Sequence, residues 1–142
     1  MSDKHFVDTN ILLYGHDRSA GAKHDRARAL LEHLWTTRSG VLSTQVLQEF
    51  CINVRRKSVN PLSVAETRET IADYLTWEVV INTPAALIEA VDLEERYGIS
   101  FWDALIVHAA QTAGATILYS EDLSNGQMYG PVRVVNPLTI SA

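Results

Sequence analysis

The chain has 142 residues, 46% of them hydrophobic, and a net charge of −5. That length suits a single domain, expected over residues 1–142, with a core that needs no metal or disulfide staple. One cysteine, Cys51, excludes an internal disulfide framework and fits a reducing cytoplasm, and no stretch approaches the roughly 18 apolar residues of a membrane span. The polar start, Met1 to His5, has no apolar core of a secretory signal, and the acidic balance excludes a generically basic nucleic-acid-binding coat. It does not exclude a nucleic-acid enzyme, because bound divalent cations invert the local sign of an acidic site.

In chain order, short apolar runs alternate with helical patterns. The first strand, about His5 to Val7, runs into Asp8, and a helix-like run from Ile11 to Tyr14 follows. A helix is predicted over about Ala22 to Thr37, with Ala27, Leu30, Leu31 and Leu34 at core spacing and Lys23, Arg26 and His33 on the other face. Gly40 punctuates, and Val41 to Ser43 reads as the second strand. The next helix, about Thr44 to Lys57, has the apolar stripe Val46, Leu47, Phe50 and Val54. Ser63-Val64-Ala65-Glu66 is a capping box that opens a helix reaching about Leu75.

The third strand is Glu78 to Ile81. Thr83-Pro84 then opens a helix that Gly98 ends. The run from Phe101 to Ala113 is apolar nearly all round, so that helix is predicted to be buried, with Gly114 closing it. The fourth strand is Thr116 to Tyr119, a polar turn lies at Ser124-Asn125-Gly126, and the fifth strand is Val132 to Val135. This alternation predicts an α/β fold of five short parallel strands with helices on both faces and right-handed crossovers.

Chain direction places four acids on one edge. Asp8 follows the first strand directly, and Asp122 follows the fourth by a few residues, so both lie at the carboxyl ends, where open α/β sheets bind ligands. Glu49 lies roughly 7–8 Å along the helix that starts from the same edge. Asp103 is in the first turn of the helix that feeds the fourth strand, and that helix must start at this edge too. Four carboxylates brought close together require cations to stay ionised. Mg²⁺ and Mn²⁺ prefer such oxygen ligands, and a metal so held suits phosphodiester hydrolysis.

Each acid also has an ordinary alternative. Asp8 is a natural helix N-cap, Glu49 an exposed helix residue, Asp103 the third position of a box begun by Ser100, and Asp122 part of a solvated turn with Glu121. Periodicity does not supply the strand order that would decide whether the four converge.

The segments Phe6-Val7-Asp8-Thr9-Asn10-Ile11-Leu12, Gln48-Glu49-Phe50, Ser100-Phe101-Trp102-Asp103-Ala104-Leu105-Ile106 and Leu118-Tyr119-Ser120-Glu121-Asp122-Leu123, with the closing Val134-Val135-Asn136-Pro137-Leu138, carry a resemblance. In this order and spacing the chain resembles the PIN-domain family, most closely the VapC-type toxins of bacterial toxin–antitoxin pairs. The resemblance implies a three-layer α/β/α fold with a parallel sheet in the order 3-2-1-4-5, which makes Asp8 and Asp122 neighbours. It implies a metal-dependent endoribonuclease using Mg²⁺ or Mn²⁺, with Asp8, Glu49, Asp103 and Asp122 as the acidic set. Asp8 and Asp103 match the direct metal ligands. Thr9 and Ser120 match supporting hydroxyls, and Asn10 takes a lesser supporting part. An RNA substrate, a small antitoxin that blocks the site, and a homodimer are the implied partners.

Among other residues, His16, Asp17 and Arg18 read as a solvated loop, and Lys23, Arg26, Arg55, Arg56 and Lys57 as either a soluble helix face or phosphate contacts. His108 reads as a hydrogen-bonded core histidine, Trp35, Trp77 and Trp102 as core or interface anchors rather than base-stacking platforms, and Cys51 as a small buried apolar residue. The competing function is a non-catalytic RNA- or protein-binding module on the same fold. A phosphoryl-acceptor domain is disfavoured, since Asn10 and Asn82 stand where such domains want acids.

Overall fold

The structure is a computed structural model that describes residues 3–56 and 59–139. Its strands are β1 (His5–Val7), β2 (Gly40–Ser43), β3 (Glu78–Val80), β4 (Ile117–Tyr119), β5 (Met128–Tyr129) and β6 (Val132–Val135). Its helices are α1 (Thr9–Gly15), α2 (Ala22–Thr37), α3 (Thr44–Arg56), α4 (Val64–Tyr74), α5 (Pro84–Tyr97) and α6 (Phe101–Ala113), with a 3₁₀ turn at Arg18–Ala20. The end expected for α3 at Lys57 lies outside the described residues.

The sheet order is β3-β2-β1-β4-β6-β5. β1, β2, β3, β4 and β6 are parallel, so the expected 3-2-1-4-5 order holds, with β6 as the fifth parallel strand. The chain winds outward from β1 through β2 to β3, then returns to β4 on the other side of β1. The gap between β1 and β4 is therefore the switch point, where the loops above the strands part and leave a crevice. The backbone N–H of Asp8 reaches the carbonyl of Tyr119 at 3.0 Å and holds the two strand ends together there.

A sixth strand departs from expectation. Met128–Tyr129 pairs antiparallel with β6. The two-residue turn Gly130-Pro131 makes this hairpin, with Gly130 at φ +60° in the first turn position. A positive φ there fits the turn to the twist of the strands, and Pro131 falls where no ladder N–H is required.

The core is made where the sheet meets the helices. Phe6, Val7, Leu42 and Leu118 are buried on the strands, and Leu12, Leu34, Val46, Phe50 and Val54 come in from the helices. α6 is buried through Ala104, Leu105, Ile106, Val107, Ala109 and Ala110, as its all-round apolar sequence predicts. Ala90, Ala104 and Leu105 form a smaller cluster where α5 lies on α6. Small residues on both helices let their backbones approach. α4 has the expected capping box: Ser63 Oγ accepts from Glu66 N at 3.1 Å, and Ser63 N donates to Glu66 Oε1 at 3.0 Å.

Several side chains depart from the sequence reading. His16 is packed rather than solvated: its Nε2 lies 2.8 Å from Tyr74 Oη, and its ring meets Phe50 edge-on at 5.3 Å. Burial, aided by Arg28 and His24, holds its pKa down at about 4. Asp17 caps the 3₁₀ turn through Ser19 N at 3.0 Å. Cys51 is only half-buried, with Arg55 Nε bonded to its carbonyl at 2.9 Å. Trp35 and Trp77 pack as expected, edge to face at 5.1 Å, and His108 is hydrogen-bonded, with Glu89 as its partner.

Candidate active site

Asp8 follows β1 and is the N-cap of α1, with extended backbone (φ −75°, ψ 160°). Its carboxylate is pinned from two sides. Oδ1 accepts the N–H of Thr9 at 2.7 Å, and Oδ2 accepts the hydroxyl of Ser120 at 2.9 Å. The cap reading of Asp8 therefore holds, yet Asp8 also lines a cleft. It is only 5% exposed. Burial pushes its pKa up to about 7, and the charges of Asp122 and Glu49 add to the rise. The two hydrogen bonds pull the other way without offsetting the burial.

Ser120 is fully buried and works in three directions. Besides donating to Asp8, its Oγ accepts the N–H groups of Asp122 at 3.2 Å and Leu123 at 3.3 Å. It thus folds the chain after β4 back over the switch point and sets where Asp122 stands. Asn10 completes that placement, with Nδ2 donating to Asp122 Oδ2 at 2.7 Å. The pKa of Asp122 is raised, first by burial and then by the charges of Asp103 and Glu121. Glu121 turns away from the cleft. It accepts from Tyr14 Oη at 2.8 Å and from Lys23 Nζ at 2.6 Å, so Lys23 is committed to an ion pair beside the site.

Glu49 enters from α3. Thr9 Oγ1 donates to its Oε1 at 2.7 Å, so it is neither free nor merely exposed. Asp103 sits in the first turn of α6, where Ser100 Oγ accepts its N–H at 3.1 Å. The reciprocal bond of a capping box is absent among the described residues, so the carboxylate is left to the cleft.

Asp8, Thr9, Asn10, Glu49, Asp103 and Asp122 all line one open cleft of about 110 Å³, together with Gln45, Asn53, Trp102 and Ile106. Ser120 supports it from beneath. The four acids that chain direction placed on one edge thus converge from four separate elements. Arg55 and Arg56 stand in the last turn of α3, and neither is among the residues that line the cleft. Gln45 and Asn53 were not singled out for the site, and Trp102 was read as a core or interface anchor. The spacing of Gln45, Glu49 and Asn53, four residues apart on one helix face, was the available signal. Of the core and interface roles read for Trp102, its 64% exposure at the cleft removes the core one.

Among the described residues, no three acidic, histidine or cysteine side chains are gathered tightly enough to ligate a single ion as they stand. The donor set nonetheless suits a hard divalent cation. It is all oxygen, and Mg²⁺ keeps several waters and takes only one or two carboxylates directly. A buried Asp8 with its pKa held near 7 beside further carboxylates is the kind of unrelieved charge that a cation offsets.

The sequence model of the PIN domain matches residues 5–124. The chain belongs to the PIN-domain family. Several solved structures share its fold. The structure is similar to VapC20 of Mycobacterium tuberculosis, a sarcin–ricin-loop-cleaving toxin, with a TM-score of 0.64 and 21% identity over 84% of this chain and 90% of that one. It is similar to FitAB bound to an IR36 DNA fragment, with a TM-score of 0.67 and 16% identity over 97% and 98%. It is also similar to DNA-bound VapBC from Salmonella typhimurium, with a TM-score of 0.63 and 16% identity over 94% and 97%. No curated protein sequence matches the chain. No helix among the described residues is long and apolar enough to cross a membrane.

Proposed function

We propose that this PIN domain is a divalent-metal-dependent endoribonuclease and the toxin of a type II toxin–antitoxin pair, acting in the cytoplasm. The observation that carries the reading is the cleft at the switch point, where Asp8, Glu49, Asp103 and Asp122 meet from four elements. Family membership and the likeness to VapC20 and the VapBC and FitAB assemblies support it. An antitoxin and a second copy of the chain are its proposed protein partners.

Asp8 and Asp103 would hold the ion, with Asp122 and Glu49 completing the acidic set. Bound Mg²⁺ or Mn²⁺ supplies Lewis acidity toward the phosphodiester and its attacking water. Ser120 and the N–H of Thr9 fix the Asp8 carboxylate so that it does not reorganise as charge moves. Thr9 orients Glu49, and Asn10 orients Asp122, each through a single short hydrogen bond. Among the described residues no lysine or arginine lines the cleft, and Lys23 is engaged by Glu121, so a bound cation would meet the phosphate there.

The test is cleavage of a labelled RNA pool by the purified chain with Mg²⁺, Mn²⁺ or chelator, beside Asp8→Asn and Asp103→Asn. Metal-dependent cleavage that both substitutions abolish is expected. Equal cleavage by all three proteins would sink the site. Binding of RNA without cleavage under any metal would instead assign a non-catalytic module.

A further inference from the structure

One wall of the cleft carries polar side chains beyond the four acids. Gln45, Glu49 and Asn53 follow one another four residues apart on α3, so this helix face brings two amides and one carboxylate to the cleft. Opposite stands the first turn of α6 with Trp102. The indole of Trp102 is 64% exposed although it lines the cleft. It is supported edge-on by Phe101 at 5.6 Å, which packs into the α5–α6 cluster. A supported indole with an open face is a stacking surface.

Gln45 supplies an independent observation. It is only 5% exposed, and its Nε2 donates to the carbonyl of Trp102 at 3.3 Å. That bond fixes which way the amide points, because a carbonyl oxygen only accepts. Oε1 is then turned elsewhere, and it is buried with no hydrogen-bond partner among the described residues. Buried acceptors are rarely left unmet in folded proteins, and an orphan beside a cleft marks a place for a ligand's donor.

Resting on the endoribonuclease reading, we propose that Trp102 and Gln45 form a nucleobase subsite flanking the scissile phosphate. The base stacks on the exposed face of Trp102, and Gln45 Oε1, buried at rest, accepts an amino or ring N–H from its edge once the amide turns into the cleft that Gln45 lines. Single-stranded RNA is read in this way, through splayed bases stacked on aromatic rings with hydrogen bonds to their edges. Stacking supplies affinity for any base. The single acceptor discriminates, favouring an edge that presents a donor over one that presents only acceptors.

The test uses the full chain in an Asp8→Asn background with Mg²⁺, so that RNA is bound without being cut, and short labelled single-stranded RNAs. Trp102→Ala is expected to weaken binding about tenfold, and Trp102→Tyr to restore most of it. Replacing one nucleotide at a time with an abasic residue is expected to find one position that costs about tenfold with Trp102 present and nothing with Trp102→Ala. Gln45→Met is expected to flatten discrimination among the four bases at that position about fivefold, while leaving the abasic RNA bound as before. Unchanged affinity for Trp102→Ala, or an abasic penalty that persists in it, overturns the subsite, and metal-dependent cleavage by the wild type then leaves the nuclease reading standing. A Trp102→Ala chain that loses self-association or a protein partner but keeps its RNA affinity assigns the indole to a protein contact and also overturns it. Failure of every form to bind or cut RNA overturns both.

Discussion

Thr9 Oγ1 donates to Glu49 Oε1 across 2.7 Å, joining the first turn of α1 to the second turn of α3. One hydroxyl therefore decides which way a carboxylate from a different element faces. Thr9→Val keeps the shape and removes the donor. It is expected to lower metal-dependent RNA cleavage about tenfold and to raise the Mn²⁺ concentration at half-maximal rate, while Thr9→Ser stays near wild type. A metal titration of the cleavage rate checks this, and equal midpoints for Val and Ser would remove Thr9 from the site.

Asp8 is kept where its charge is unfavourable without a cation. Asp8→Asn preserves the acceptor for Thr9 N and removes the buried charge. The variant is expected to lose cleavage by a factor of at least about 100, yet to be more stable than the wild type by about 1–2 kcal/mol in chelator near neutral pH. Urea unfolding midpoints with and without Mg²⁺ read this out. Added Mg²⁺ should raise the wild-type midpoint and leave that of the variant in place.

His16 is a source of acid sensitivity remote from the cleft. Its pKa is about 4 in the fold against 6.5 for an ordinary histidine, because burial disfavours the charged ring. Above pH 6.5 both folded and unfolded chains hold it neutral. As pH falls from 6.5 to about 4, only the unfolded chain takes up the proton, so stability is lost through that window, by about 3 kcal/mol in all. Below about 4 the contribution is flat. A His16→Gln chain, which can still bond Tyr74 Oη, is expected to lack this slope in urea midpoints taken across the window.

Gly40 opens β2 with no room for a side chain. A Cβ there would meet the Trp77 ring atoms at 2.3, 2.5 and 2.8 Å. Trp77 is itself held edge-on by Trp35 and Tyr74, at 5.1 and 5.2 Å, so it has little freedom to yield. Gly40→Ala is expected to cost about 1–3 kcal/mol, seen as a lowered thermal midpoint with cleavage per folded molecule unchanged.

Much of the fold was legible in the sequence because its signals are local. Ala22 to Thr37 and Phe101 to Ala113 read correctly from apolar spacing, and Ser63 with Glu66 announced the cap that forms. The edge shared by Asp8, Glu49, Asp103 and Asp122 followed from strand direction alone. Their convergence needed the order of β1 and β4, a long-range pairing that periodicity does not encode. The hairpin at Met128–Tyr129 was missed because two residues are too few to show alternation. His16 was misread because its neighbours, Phe50 and Tyr74, come from α3 and α4, and burial from distant segments leaves no mark on a polar stretch such as His16-Asp17-Arg18. Trp102 was left between core and interface because its residue type fits both, and only the packed chain showed an open ring.

The short hairpin at the end of the sheet has a bearing on crowded conditions. Capping β6 with a two-residue strand that ends at Gly130-Pro131 leaves little free ladder on that side, and β3 ends the other side with three residues, its Glu78 paired to Lys4 at 2.8 Å. Long, flat strand edges are templates for uncontrolled growth between molecules. This sheet presents none among the described residues, so a second molecule has little backbone to zip onto. Productive association must instead use helix surfaces, such as Leu87, Ile88 and Val91 on α5, where side chains choose the partner.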